Sequence, residues 1–152
     1  HDGIDVVTLT ANGEPTLYGD LAKLVKEINL IKGEKKLLIL SNASTINESK
    51  TQRALKDIDI VKLSLDCATK ECFKKIDRAD ESIKIEEIID GMKVFRSIYG
   101  GELVIEILVV KGINDTKEQM RELNLVLNDI KPDRVDLGSI DRPPAYSVEG
   151  VS

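Results

Sequence analysis

Histidine occurs once in these 152 residues, as His1, so a Ser-His-Asp triad and a histidine-rich metal centre are both excluded. The two cysteines, Cys67 and Cys72 in "CATKEC", are too few for a disulfide framework and lack the second ligand pair of a structural zinc site. They read as two semi-buried thiols around a helix start. Aromatic residues make up only 3% of a chain that is 41% hydrophobic, which leaves an aliphatic core. No apolar run approaches the roughly 20 residues that span a bilayer, and no signal-peptide pattern opens the chain. The expectation is a soluble, cytoplasmic protein with no membrane partner. Positive charge is not in excess either: a net charge of -5 supplies no general basic field for a phosphate backbone. An initiating methionine is also lacking, since the chain opens on His1 and runs almost at once into a strand; this predicts a fragment.

What is present is alternation. "DVVTLT" (Asp5 to Thr10) has the β-branched content of a strand, and Asp20 is placed to cap a helix with Leu21, Leu24, Val25 and Ile28 on one face. "KLLILS" (Lys36 to Ser41) reads as a strand buried on both faces. Asn47 can cap a helix through Leu55, and "IVKLSL" (Ile60 to Leu65) is a third strand. A short helical stretch from Lys70 to Ile76 precedes a longer one from Ile83 to Tyr99, which Gly100-Gly101 ends. "ELVIEILVV" (Glu102 to Val110), a helix over Thr116 to Ile130 and "RVDLGS" (Arg134 to Ser139) complete the series. The final segment cannot be regular across Pro143-Pro144. Successive βαβ units predict a single α/β domain over residues 1–152 with about five parallel strands. The G-x-G-x-x-G turn that would favour an open dinucleotide-binding sheet is absent.

In parallel α/β folds the working site lies at the carboxyl ends of the strands. The first strand exits into Asn12-Gly13-Glu14-Pro15-Thr16, the second into Ser41-Asn42-Ala43-Ser44, and Ser64 and Asp66 flank Leu65 at the end of the third. Lys111-Gly112-Ile113-Asn114-Asp115 follows the fourth, and Ser139-Ile140-Asp141-Arg142 the fifth. A loop of this kind can be no more than helix caps, as Asn114-Asp115-Thr116 or Ser44-Thr45 illustrate. Glu14 is harder to explain, because an ordinary turn needs a glycine or an N-cap, and neither requirement calls for a carboxylate between Gly13 and Pro15.

These motifs, in this order, resemble the radical S-adenosylmethionine (SAM) enzymes, which are built on a partial (β/α) barrel. "ANGEP" resembles that family's "GGEP" loop, "LSNAS" its strand-end "TNG", "KLSLD" its "SLD" strand, and "VVKGIND" the strand that passes the adenine. The resemblance implies a TIM-like partial barrel, incomplete at its N-terminal side. It further implies a SAM site made of Asn12, Gly13, Glu14, Pro15, Asn42, Ser64, Asp66, Lys111 and Asn114. Glu14 and the 13–15 backbone would hold the amino group of SAM, a charge-assisted contact. Ser64 and Asp66 would reach its ribose or carboxylate, with Asn42 nearby, and the segment from Val110 to Ile113 would lie by the adenine. The cofactors implied are SAM and a [4Fe-4S] cluster, which together yield a 5′-deoxyadenosyl radical. "NGEPTL" and "DRPPAY" resemble the wyosine-base-synthase-like subgroup of iron–sulfur oxidoreductases, which hints at a tRNA substrate.

Departures from the family pattern set further expectations. The Cys-x3-Cys-x2-Cys loop that ligates the cluster is missing, which places it upstream of His1 and makes this chain inactive alone, dependent on the intact protein and an electron donor. "SNA" replaces "TNG" and loses a glycine. Two other readings compete: a (β/α) barrel lyase or aldolase with Lys111 as Schiff-base residue, and a non-catalytic α/β module that binds a small ligand. Finally, "VVTL" has the character of a strand buried on both faces. With nothing paired to its outer edge, the fragment is expected to self-associate there.

Overall fold

The computed structural model describes residues 5–140 and 148–150. "DRPPAY" therefore lies outside the described residues. The strands are β1 (Val6–Leu9), β2 (Lys36–Ser41), β3 (Ile60–Ser64), β4 (Glu102–Val109) and β5 (Arg134–Ser139), all within one residue of the predicted spans at each end. They form one sheet in the order β1-β2-β3-β4-β5, every pair parallel. Between them lie α1 (Leu21–Ile31), α2 (Ser49–Leu55), α3 (Lys70–Ile76), α4 (Ile85–Ile98) and α5 (Lys117–Ile130).

Sequential parallel order with right-handed crossovers puts every helix on the same side of the sheet. The burial pattern agrees. Leu37, Ile39, Val61, Leu63, Leu103, Ile105 and Ile107 alternate along the strands and join Val25, Leu55, Met92, Phe95 and Leu123 from the helices in one core. The opposite face carries Leu40, Lys62, Ser64, Glu106 and Asp136, with Leu40 level with Lys62, and Ser64 level with Glu106 and then Asp136. That is the geometry of a barrel wall with helices outside, as the sequence predicts, and its inner face mixes aliphatic residues such as Leu40 and Val104 with charged ones, which the sequence did not announce.

Several local expectations need correction. The N-cap position of α2 is Glu48, one residue beyond the predicted Asn47, and its side chain makes no capping bond. Asp20 stands at the N-cap of α1 but likewise makes none. Instead, the backbone N–H of Leu21 bonds to the carbonyl of Tyr18, so the preceding turn does the work of a cap. Cys67 and Cys72 are not free thiols but are joined as a disulfide, because the turn into α3 brings their Cα atoms to 5.5 Å, within bonding range. β1 sits at the sheet edge, as expected. It is not buried on both faces: Val6 and Thr8 are exposed and only Val7 and Leu9 pack against the core.

Candidate active site at the strand exits

Glu14 explains its own position. It is the N-cap of a 3-10 turn, Pro15–Leu17, with Pro15 at the first turn position, where a missing N–H costs nothing. The Glu14 Oε1 atom accepts from the Thr16 N–H (3.0 Å), the Thr16 hydroxyl (2.7 Å) and the Ser41 hydroxyl (2.7 Å). Oε2 accepts from the backbone N–H of Asn42 at 2.6 Å. Glu14 is thus a cap after all, and it also staples the exit of β1 to the exit of β2. Thr16 extends the staple through a 2.6 Å contact between its hydroxyl and that of Thr45.

A carboxylate has about four acceptor positions. Oε1 has three partners and Oε2 has one, so the remaining capacity lies on Oε2, beside the exposed Asn12, Gly13 and Asn42. A ligand ammonium fits there. The Asn42 side chain turns back on itself, its Oδ1 accepting from the Ser44 N–H, while Ser41 Oγ accepts from the Ala43 N–H. Ala43 sits at a φ of 62° and is buried. This is the position where the resemblance places glycine, and the left-handed backbone that favours glycine is present without it.

Ser64 ends β3, half-buried and level with Glu106 of β4. Asp66 Oδ1 accepts from the Leu108 N–H at 2.7 Å. Burial, reinforced by the Glu106 charge and opposed by that hydrogen bond, pushes the Asp66 carboxyl up to about 6. Asn114 departs from expectation. It is fully buried and does not open onto the mouth. Its Nδ2 donates to the carbonyls of Asp66 and Leu108, both at 2.8 Å, and its Oδ1 accepts from the Val110 N–H. A short amide on a tight turn can satisfy three backbone groups at once, so Asn114 clamps the exits of β3 and β4 and positions Asp66 from behind.

Lys111 lies at the surface, paired with Glu149 at 2.8 Å. A lysine nucleophile is activated by desolvation or a neighbouring cation, and an exposed, carboxylate-paired ammonium has neither. The Schiff-base reading loses its support. Sequence reasoning placed Thr16, Ser41 and Thr45 in the exit loops but not in the site, although Ser41 is the second residue of the "LSNAS" motif. It also missed an ionic ladder on the inner face. Lys62 lies between Glu106 (3.0 Å) and Asp136 (2.8 Å), and Arg134 joins Asp136 to Glu102. Partial burial of Lys62 opposes its charge, but the bonds it donates to Asp136 and Glu106 outweigh this and hold the ammonium above its usual range.

Among the described residues, no group of three or more His, Cys, Asp or Glu is placed to hold a metal ion. The described residues therefore offer no ligand set for an iron–sulfur cluster, whereas the free side of Glu14 Oε2 has room for one more donor, such as an ammonium.

The model of the Radical SAM superfamily matches residues 1–123. A UPF0026 protein of Helicobacter pylori is 44% identical over 149 residues, 98% of this chain and 48% of that protein. The chain thus spans about half the length of this curated relative. A radical SAM methyltransferase from Sphaerobacter thermophilus superposes with a TM-score of 0.76 at 16% identity, over 97% of this chain and 44% of that one. A domain of a pyruvate-formate lyase-activating enzyme from Bacteroides vulgatus gives 0.70 at 13% identity, over 96% and 84%. At such identities these two structures speak for the fold alone.

Proposed function

This chain belongs to the radical SAM superfamily, and on that premise we propose that it forms the SAM-holding wall of a larger radical enzyme. Members of the superfamily use SAM and a [4Fe-4S] cluster. Bound SAM, on receiving an electron from such a cluster, supplies a carbon radical that abstracts hydrogen from a substrate. The contribution of these residues is to bind and orient. Glu14 Oε2 takes the ammonium of SAM. The 13–15 backbone frames it and Asn42 borders it. Ser64 and Asp66 meet its polar edge, and the Val110 to Ile113 segment lies by its adenine. Asn114 acts as a positioning residue behind Asp66. The observation that carries this reading is the uneven loading of the Glu14 carboxylate, three partners on one oxygen and one on the other.

We place the cluster ligands in a part of the protein that these 152 residues do not include, which would leave this chain inactive alone. The intact protein is an oxidoreductase or transferase that draws on an external electron donor in the cytoplasm. Its resemblance to the wyosine-base-synthase-like subgroup favours a tRNA substrate, bound by surfaces outside this acidic chain. Titration of the full-length protein with S-adenosylhomocysteine tests the site, and an absorbance band at about 400 nm tests for the cluster. Binding unaffected by Glu14→Gln would remove Glu14 from the site. Binding without the band would leave a ligand-binding module in place of an enzyme.

A further inference from the structure

α3 is short and has few anchors, one of them covalent. Seven residues are too few for a helix to be stable by itself, and α3 fully buries just one of them, Cys72. Phe73 packs only partly against the core. A cavity of about 300 Å³, lined by Phe73, Lys74, Ala79 and Ile83 among others, separates α3 from the segment that follows it. Cys72 is bonded to Cys67, which directly follows Asp66 at the exit of β3. Besides this bond, the side-chain anchor of the helix start is Thr69, which caps Cys72 N–H and meets Gln119 of α5. At the other end of α3, Asp77 is close enough for the Asp66 charge to act on it.

We propose that Cys67 and Cys72 are a redox-active pair whose reduction by a dithiol releases α3 and loosens the wall of the site at Asp66. In that reaction a reductant thiolate attacks one cysteine sulfur and the Cys67–Cys72 bond breaks. The second reductant thiol then attacks the reductant sulfur of the mixed disulfide and displaces the cysteine still bound to it, leaving an oxidised reductant. Two electrons and two protons end on Cys67 and Cys72. Oxidised, α3 is pinned to the β3 exit. Reduced, it keeps the Thr69 cap but loses its one fully buried anchor, and the cavity gives it room to shift. The consequence for ligand binding rests on the SAM site proposed above, whereas the release of α3 does not.

The test uses full-length protein before and after equilibration with dithiothreitol, long enough for a buried bond to react. Amide hydrogen exchange over 70–76 reads the helix, and S-adenosylhomocysteine titration reads the site. Iodoacetamide should label both cysteines only after reduction, exchange in α3 should accelerate, and affinity should fall by about fivefold or more. A Cys67→Ser/Cys72→Ser double variant should match the reduced protein and ignore the dithiol. Unchanged exchange after confirmed reduction, or labelling of both thiols before it, overturns the pair as a switch. Faster exchange with unaltered affinity overturns its link to the site. Faster exchange with no binding in either state counts against the SAM reading and leaves the release of α3 standing.

Discussion

Replacing Glu14 by glutamine separates the two tasks of its carboxylate. A glutamine keeps one carbonyl oxygen. Turned toward Thr16 and Ser41, that oxygen preserves three of the four bonds but sets an amide donor against the Asn42 N–H, which now bonds at 2.6 Å. Turned the other way, it keeps Asn42 and loses the other three. Either way at least one hydrogen bond to a charged group is lost, which costs about 2–3 kcal/mol. For a domain of this size that lowers the unfolding midpoint by roughly 4–12 °C. The same change takes the negative charge from the ligand ammonium and should weaken S-adenosylhomocysteine by roughly 10- to 150-fold. Ser41→Ala is the control, because it removes one bond from Oε1 and leaves Oε2 alone. It also strands the buried Ala43 N–H, so it should cost about 2–4 kcal/mol of stability but change affinity by no more than about twofold. Calorimetry and thermal unfolding on the full-length variants decide the matter. A Glu14→Gln protein as stable as its parent would refute the staple, and a Ser41→Ala protein that lost affinity as severely would refute the division of labour between the two oxygens.

Three further outcomes are expected. The Asp66 carboxyl titrates at about 6 in the fold against 3.8 ordinarily, so over that interval the folded state binds more protons. Stability should then fall as pH rises from about 4 to 6, by up to about 3 kcal/mol, and the fall should flatten in Asp66→Asn; a urea midpoint that rose over the interval would contradict this. Asp77 is pushed up to about 7 by burial and by Asp66, but its exposed edge is screened by water, so its share is smaller. Asn114→Ala strands three buried backbone groups and should cost about 3–5 kcal/mol in urea unfolding, whereas a cost below about 1 kcal/mol would mean that water replaces the clamp. The 152-residue chain should associate through the free edge of β1, and Thr8→Lys should reduce that association in light scattering; a monomer at high concentration before the substitution would argue against it.

Strand order and helix placement were legible because they depend on near neighbours in sequence: β-branched runs, 3.6-residue apolar spacing, a Gly-Gly stop. The site was legible in its location and less so in its wiring. The Glu14 carboxylate meets Ser41 and Asn42, 27 and 28 residues away, and no local pattern announces that two strand exits will share one side chain. Asn114 illustrates the converse. A loop asparagine reads as a cap or a ligand contact, and only the fold shows it buried between the exits of β3 and β4. Thr69 and Thr116 do cap α3 and α5, while Asp20 and Asn47, equally good candidates by type, do not. Capping depends on backbone angles that residue type does not determine. The Cys67–Cys72 bond depends on a turn geometry that a spacing of five leaves open.

The unbroken strand order also shapes how the chain can be made. Each strand pairs only with the strands before and after it, at separations of 30 residues for Val6 with Lys36, 22 for Leu38 with Ile60, 42 for Ile60 with Glu102 and 30 for Val104 with Arg134. No pairing waits for a distant part of the sequence, so the sheet can grow one strand at a time as the chain leaves the ribosome, each new unit docking on a template already in place. The longest closure, across α3 and α4, costs only about 0.6 kcal/mol more than the shortest. A nascent chain that pauses there exposes the β3 edge with the Cys67–Cys72 segment already synthesised, and the β3-to-β4 connection is the longest loop that assembly from the N-terminus must close.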